Sequence, residues 1–237
     1  MKPYYQDDSV TLYHGDCREV LPSISETADL LVTDPPYGVN YRSNWGAHDR
    51  IVGDDGTVDI AQCLSLAAKR LRRGRHVYIF GPPTSLVGTP FTTAVELIWD
   101  KGITGMGDLS LPWAKSHETI TFATYEPSKA NRSKGSGNLA ARLRQGSVLR
   151  VQRTHSGTST RHPTEKPVQL LRQLIESSSV WGETVLDPFC GVGSTLVAAH
   201  LEGRQSVGIE VSEHYCEAAA TRLSALRDRP VLDRAFE

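Results

Sequence analysis

The tetrapeptide Asp34-Pro35-Pro36-Tyr37 has the residue types needed to hold a weakly nucleophilic amine. It follows an apolar run at residues 30–33 that predicts a buried strand, and ligands of open α/β sheets bind at the carboxyl ends of strands. The prolines fix two φ angles and remove two donors, which leaves the Asp34 carboxylate and the Pro35 carbonyl as acceptors for both hydrogens of one –NH2 group. Tyr37 offers a ring on which an extruded base can stack. The alternative is a strand end followed by a purely structural Pro-Pro turn.

A second group of residues, at 184–195, predicts a strand, a glycine-rich turn and the start of a helix. Gly191 and Gly193 allow the backbone to approach a ligand closely, and the helix start presents free N–H groups. Glu210 follows a further strand, where an acid can accept hydrogen bonds from ribose hydroxyls. The spacing of turn and acid therefore predicts a nucleoside cofactor.

The residues around this turn favour one class of nucleoside cofactor. A dinucleotide-binding turn requires a third small residue at position 196, which is Leu196 in this chain. Asp187 directly precedes the turn, and its carboxylate is a poor neighbour for a pyrophosphate. A carboxylate suits a cofactor that carries a cationic amino group, such as S-adenosylmethionine.

Strands that alternate with helices must position both groups of residues. Short apolar, β-branched runs predict strands at residues 10–13, 30–33, 76–80, 95–99, 119–123, 184–186 and 206–209. Helical patterns lie at residues 60–71, 167–178, 194–201 and 213–226. Pro167 fits a first helical turn and Ser212 fits an N-cap. Most of the strands are continuously apolar, so we predict a doubly wound, largely parallel α/β sheet.

The basic residues are unevenly distributed. The chain has 26 Lys and Arg against 27 Asp and Glu, yet residues 127–164 contain no acid. We therefore predict that residues 124–162 form a short basic insertion that binds nucleic acid, and that residues 40–57 form a loop near Asp34. The residues of the insertion expected to contact nucleic acid are Lys129, Arg132, Lys134, Arg142, Arg144, Arg150 and Arg153. The alternative is a solvated loop without a ligand.

Length and composition are typical of one α/β domain over residues 1–237, with 39% hydrophobic and 22% charged residues. The four cysteines are far apart and lack the spacing of a disulfide framework or zinc site, so we expect reduced thiols and no metal. No apolar run is long enough to span a bilayer, and the first residues lack the core of a signal peptide. We therefore expect a cytoplasmic location.

Taken together, these motifs resemble the amino-directed DNA methyltransferases, in the permuted β group whose Asp-Pro-Pro-Tyr motif precedes the cofactor turn. Residues 12–20 resemble the Gly-Asp segment of that family, and residues 162–167 resemble its segment before the turn. Residues 99–107 and 117–122 are similar to its central strands and hairpin. The resemblance covers nearly the whole chain.

The resemblance implies a Rossmann-like, circularly permuted methyltransferase fold that binds S-adenosylmethionine, with Asp34, Pro35, Pro36 and Tyr37 as catalytic residues. Asp16 is expected to contact the adenine of the cofactor, and Lys166 is expected near its methionine moiety. The full set of expected cofactor-binding residues is Asp16, Cys17, Lys166, Pro167, Asp187, Phe189, Cys190, Gly191, Gly193, Ser194, Thr195 and Glu210.

The implied activity is methylation of the adenine N6 amine in double-stranded DNA, by base flipping and in-line transfer. Cytosine-N4 methylation uses the same geometry, but Asp before the two prolines leans toward adenine in this family. Methylation of RNA or of a protein amide, and a DNA-binding module without catalysis, are more distant alternatives. A bacterial or phage origin, a homodimer and a partner restriction endonuclease are further expectations from the resemblance.

Overall fold

The computed structural model describes residues 1–36, 58–102, 110, 112–125, 145–152 and 165–227, which form a mixed sheet with helices on both faces. The strands are β1 (Tyr5–Gln6), β2 (Val10–His14), β3 (Ala28–Thr33), β4 (Leu71–Phe80), β5 (Phe91–Asp100), β6 (His117–Tyr125), β7 (Val148–Arg150), β8 (Thr184–Asp187) and β9 (Gln205–Glu210). Within the described residues the sheet has nine strands in the order β1-β2-β9-β8-β3-β4-β6-β5-β7.

The centre of the sheet is parallel. Strands β2, β9, β8, β3 and β4 run in the same direction and pair as neighbours. Strand β6 is antiparallel to both β4 and β5, β7 is parallel to β5, and the short β1 is antiparallel to β2. The predicted largely parallel α/β sheet is therefore confirmed.

Helices cover both faces of this sheet. They are α1 (Cys17–Ser23), α2 (Ile60–Ala68), α3 (Val168–Ser178), α4 (Ser194–Leu201) and α5 (Glu213–Arg227), with a 3-10 turn at Pro83–Leu86. Helices α1 and α2 share a buried cluster with Leu31 of β3, whereas α3 and α4 share another with Leu30 and Val32. Because β3 is buried on both faces, its sequence is continuously apolar instead of alternating.

Helix α5 packs with α4 against Val10 and Leu12 of β2, which extends the second helical layer to that side of the sheet. Within the described part of the chain, every helix is too short or too polar to cross a membrane.

Element boundaries differ from the predicted ones where a residue fits two patterns. The predicted helix at residues 60–71 ends at Ala68, and Leu71 instead begins β4, where it pairs with Ala28. Pro167 is the N-cap residue of α3, one position before its predicted place in the first turn. The sequence did not predict β1, α1 or β7, because elements of two, seven and three residues are too short for a periodic pattern.

Gly208, in the middle of β9, lets α4 lie close to the sheet. A Cβ atom at this position would lie 2.7 Å from Cδ1 of Leu196 and 3.0 Å from Sγ of Cys190. Leu196 thus occupies the space that a side chain at position 208 would need.

We expect Gly208→Ala to lower the free energy of unfolding by about 1–3 kcal/mol, because the added methyl overpacks the contact with Leu196. Gly146→Ala is the matched control, since a Cβ there meets nothing within 4 Å. Urea unfolding of both variants measures the difference. Equal midpoints for the two would show that β9 and α4 are not tightly packed at Gly208.

Candidate functional site

Acidic residues lie along the carboxyl edge of the sheet, on its strands or directly after them. Asp16 follows β2, Glu210 ends β9, Asp187 ends β8 and Asp34 follows β3. Glu118 comes from the start of β6, which is antiparallel to β4 and therefore begins at the edge where the parallel strands end. The edge thus places the residues of the predicted cofactor site beside those of the predicted amine site.

The turn after β8 has the backbone conformation that its glycines predict. Gly191 and Gly193 have φ values of 52° and 79°, in the left-handed region that favours glycine, and Gly193 is the N-cap of α4. A Cβ atom at Gly191 would meet nothing within 4 Å, so open space lies directly beside the turn. This space is where a ligand could approach the backbone.

The Glu210 carboxylate is tied to the same turn. Its Oε2 accepts a hydrogen bond from the Gly191 amide at 2.9 Å, and its Oε1 accepts one from the Ser212 amide at 2.8 Å. Burial raises the pKa of Glu210, while these amides and that of Val211 oppose the rise. A carboxylate has about four acceptor positions, so capacity remains for a ligand hydroxyl. The arrangement fits the nucleoside part of S-adenosylmethionine.

Asp187 joins the cofactor turn to the strand that carries Asp34. Its Oδ1 accepts hydrogen bonds from the hydroxyl of Thr33 at 2.8 Å and from the amide of Phe189 at 3.1 Å. Burial raises the pKa of Asp187 to about 6, and hydrogen bonds from Thr195 and Thr33 partly offset this effect. The Asp187 carboxylate therefore links the end of β8 to β3 through Thr33. Its predicted contact with the amino group of the cofactor stays a prediction.

Asp16 has a structural role that the sequence did not predict. Its side chain caps α1 by accepting from the Arg18 amide at 2.8 Å, and both of its oxygens accept from the Arg18 guanidinium. The hydrogen bonds from the Arg18 side chain lower the pKa of Asp16. Cys17 is buried beside it in the first turn of α1. The Asp16–Arg18 pair has only the Asp-x-Arg spacing as a sequence signal, and the expected contact of Asp16 with adenine stays a prediction.

Asp34 forms an ion pair with Lys166, which joins the two predicted sites. The Lys166 ammonium contacts Oδ2 of Asp34, lies 3.6 Å from Oε2 of Glu118 and sits 5.0 Å from the centre of the Phe80 ring. Burial acts to lower the pKa of Lys166, but the charges of Asp34 and Glu118 outweigh it and the pKa lies above its ordinary value. Sequence reasoning placed Lys166 near the cofactor and did not predict a role for Glu118.

A second ion pair holds the segment before α3 against the cofactor turn. Oε1 of Glu165 accepts from the hydroxyl of Ser194 at 2.8 Å and from the guanidinium of Arg222 at 2.7 Å. Arg222 on α5 also donates to the Ser194 hydroxyl at 3.0 Å. Neither Glu165 nor Arg222 was predicted, because they are 57 residues apart and only the fold brings them together.

Of the remaining predicted residues, some lie within the part of the chain that the structure describes and others lie outside it. Cys190 is buried, and burial raises the pKa of its thiol well above the usual range, which suits a packing role in the turn. Arg150 ends β7 with 78% of its side chain exposed, 3.7 Å from Asp100. The predicted residues outside the described ones are Tyr37, Lys129, Arg132, Lys134, Arg142, Arg144 and Arg153.

Comparison with known proteins identifies the family of this chain. A family model described as DNA methylase, for N6 and N4 amino-methyltransferases, matches residues 28–221. The chain belongs to this family. Membership confirms the predicted methyltransferase activity on DNA and the predicted cofactor, S-adenosylmethionine.

Relatives along nearly the whole chain agree with this family. The type II methyltransferase M2.DpnII of Streptococcus pneumoniae is 28% identical, over 94% of this chain and 93% of its own length. The DNA adenine methyltransferase YhdJ of Escherichia coli is 25% identical, over 92% of this chain and 84% of its own.

Solved structures share the fold. A complex of M1.HpyAVI with S-adenosylmethionine has a TM-score of 0.68 at 20% identity and covers 90% of this chain and 98% of its own. The cytosine-N4-specific PvuII DNA methyltransferase has a TM-score of 0.66 at 17% identity and covers 100% of this chain and 91% of its own.

The hydrogen bond between Thr33 and Asp187 predicts a pH-dependent loss of stability in Thr33→Val. The pKa of Asp187 is raised to about 6 from 3.8, so its burial weakens the folded state as the pH rises through 6 and the carboxyl becomes charged. Without the hydrogen bond from Thr33, the charged Asp187 carboxylate is less stabilised, so the folded state loses more stability above pH 6. We expect the free energy of unfolding to fall by about 1–3 kcal/mol at pH 8 and by clearly less at pH 5.

Urea unfolding at both pH values measures this difference. Thr92→Val, at an exposed position of β5, is the matched control and should change little at either pH. An equal loss for Thr33→Val at pH 5 and pH 8 would contradict the role of Thr33 as a donor to the charged carboxylate.

Proposed function

We propose that this DNA methylase transfers the methyl group of S-adenosylmethionine to the N6 amine of adenine at specific sites in double-stranded DNA. The observation that carries the proposal is the position of Asp34. It follows β3, which lies next to β8, and Thr33 is hydrogen-bonded to Asp187 directly before the cofactor turn. The proposed amine acceptor and the proposed cofactor turn are therefore neighbours on one edge of the sheet.

The proposed chemistry assigns each group at this edge a role. When bound, S-adenosylmethionine would supply an electrophilic methyl group on a positively charged sulfur. The sulfur–methyl bond would break as the nitrogen–methyl bond forms, S-adenosylhomocysteine would leave, and the methylated amine would give up one proton to solvent. The carboxylate of Asp34 and the carbonyl of Pro35 accept the two hydrogens of the target amine, which directs the nitrogen lone pair toward the methyl group. The charge of Asp34 also stabilises the positive charge that develops on the nitrogen. Tyr37 stacks on the flipped base.

The cofactor assignment rests on the residues of the turn and the edge. Gly191 and Gly193 leave room for the ligand, Glu210 accepts from a ribose hydroxyl, and Asp187 faces the cationic amino group. The other expected contacts come from the neighbouring segments, through Asp16, Cys17, Pro167, Phe189, Cys190, Ser194 and Thr195.

The choice of adenine over cytosine rests on Asp34 itself, since Asp before the prolines leans toward adenine in this family. The name of YhdJ, a relative over most of the chain, agrees with adenine. The PvuII enzyme shows that the same fold also serves cytosine N4. The fold alone therefore supports both bases, and the proposal of adenine rests on Asp34.

DNA binding is proposed for the basic segment at residues 124–162. Arg150 supports it, because this exposed side chain ends β7 on the same edge as Asp34. Contacts from Lys129, Arg132, Lys134, Arg142, Arg144 and Arg153 would extend this surface along the phosphate backbone. A homodimer would double it, and a cognate restriction endonuclease in a bacterial cytoplasm is the proposed setting, by likeness to type II relatives.

Nucleoside analysis tests the proposed reaction. The protein is incubated with methyl-labelled S-adenosylmethionine and unmethylated genomic DNA, which is then digested to nucleosides and separated. We expect the label in N6-methyladenine. Label in N4-methylcytosine alone would overturn the choice of adenine, and label in RNA or protein but not in DNA would overturn the proposed substrate.

We expect Asp34→Asn to retain binding of S-adenosylmethionine within a few-fold and to lower kcat by about 10²–10³-fold, because the amide cannot stabilise the developing charge as a carboxylate does. Calorimetry of the DNA-free protein measures binding, and single-turnover methylation measures the rate. Asp8→Asn, at an exposed position far from the site, is the control. A rate within a few-fold of the unaltered protein would refute the acceptor role of Asp34.

A further inference from the structure

Lys166 is the centre of a chain of alternating charges at the carboxyl edge. Only 11% of its side chain is exposed, and its ammonium contacts Asp34 and lies 3.6 Å from Oε2 of Glu118. The other oxygen of Glu118 pairs with Lys101 at 2.5 Å. The order of charges is therefore Asp34, Lys166, Glu118 and Lys101.

The surroundings of Lys166 hold its ammonium in one place. Removing a charge from water is costly unless partners compensate it, and here two carboxylates and the face of Phe80, with its centre at 5.0 Å, do so. A long lysine side chain on a surface would sample many rotamers. This one is confined between Asp34 on one side and Glu118 on the other.

The backbone that carries Lys166 is also held. Glu165, the preceding residue, is bound by Ser194 at the start of α4 and by Arg222 on α5. Pro167, the following residue, is the N-cap of α3 and has a restricted φ angle. The ammonium therefore reaches Asp34 from a point that is fixed relative to the cofactor turn.

We propose that Lys166 is a positioning residue of methyl transfer, which holds the carboxylate of Asp34 in the orientation that receives the amine, and that Glu118 holds Lys166 in turn. This inference rests on the proposed role of Asp34. It differs from the expectation that Lys166 lies near the methionine moiety of the cofactor, because the ammonium contacts Asp34.

Two ligands distinguish these roles. S-adenosylmethionine has a carboxylate, whereas 5′-methylthioadenosine lacks the amino-acid portion. Calorimetry with each ligand, on the DNA-free protein, compares Lys166→Met with the unaltered protein. We expect both affinities to change by less than about 3-fold, while kcat for DNA methylation falls by about 10–100-fold through misplacement of Asp34. Lys69→Met, an exposed substitution at the end of α2, should leave all of these values unchanged.

Conservative variants separate positioning from a merely structural effect. Lys166→Arg keeps the positive charge and should recover part of the lost kcat. Glu118→Gln should lower kcat in the same direction, and combining it with Lys166→Met should cost less than the product of the two separate losses. Thermal unfolding of each variant confirms that it is folded. If Lys166→Met does not fold, the kcat of Glu118→Gln and Lys166→Arg decides the question.

Two results would overturn the inference. A tenfold or greater loss of affinity for S-adenosylmethionine, with unchanged affinity for 5′-methylthioadenosine, would assign Lys166 to the methionine carboxylate. An unchanged kcat in Lys166→Met, or in Glu118→Gln if the former does not fold, would remove the positioning role. Both differ from a failure of the proposed function, in which the unaltered protein itself would not methylate adenine in DNA.

Discussion

The arrangement of this molecule depends on the hydrogen bonds that the buried carboxylate of Asp187 accepts. Asp187 lies where a parallel strand ends, and without donors its charge would be very unfavourable there. Its donors come from the neighbouring strand, through Thr33, and from the turn that follows, through the Phe189 amide. One buried acid thus fixes the distance between the strand that leads to Asp34 and the turn proposed to hold the cofactor.

The strands and helices with long apolar patterns were predictable from the sequence. Helix α4 was predicted with both ends correct, and β3 and β9 within two residues, because each is an apolar run bounded by turn residues. The antiparallel pairing of β5 with β6 followed from the resemblance to the family and not from the pattern. The order of strands across the sheet could not be predicted from the pattern, because it depends on pairings between residues far apart in the chain.

The candidate site was predictable where its chemistry is carried by short motifs, and not where it depends on side-chain contacts. A few neighbouring residues are enough to predict the turn at Gly191 and Gly193 and the acid Glu210. In the structure both glycines have positive φ angles, and Glu210 accepts a hydrogen bond from the Gly191 amide. The pairing of Lys166 with Asp34 joins residues 132 positions apart and has no local signal. Arg222 likewise reaches Glu165 only because α5 folds back over α4.

The position of β8 and β9 in the sheet has a consequence for how the chain folds during its synthesis. These strands are far along the chain, yet they lie between β2 and β3, which are near its beginning. On the ribosome, the early strands therefore cannot join until residues 184–210 have emerged to fill the gap between them. A chain whose synthesis stops before that point lacks β8 and β9, and with them the glycine turn and Glu210, so its carboxyl edge is incomplete.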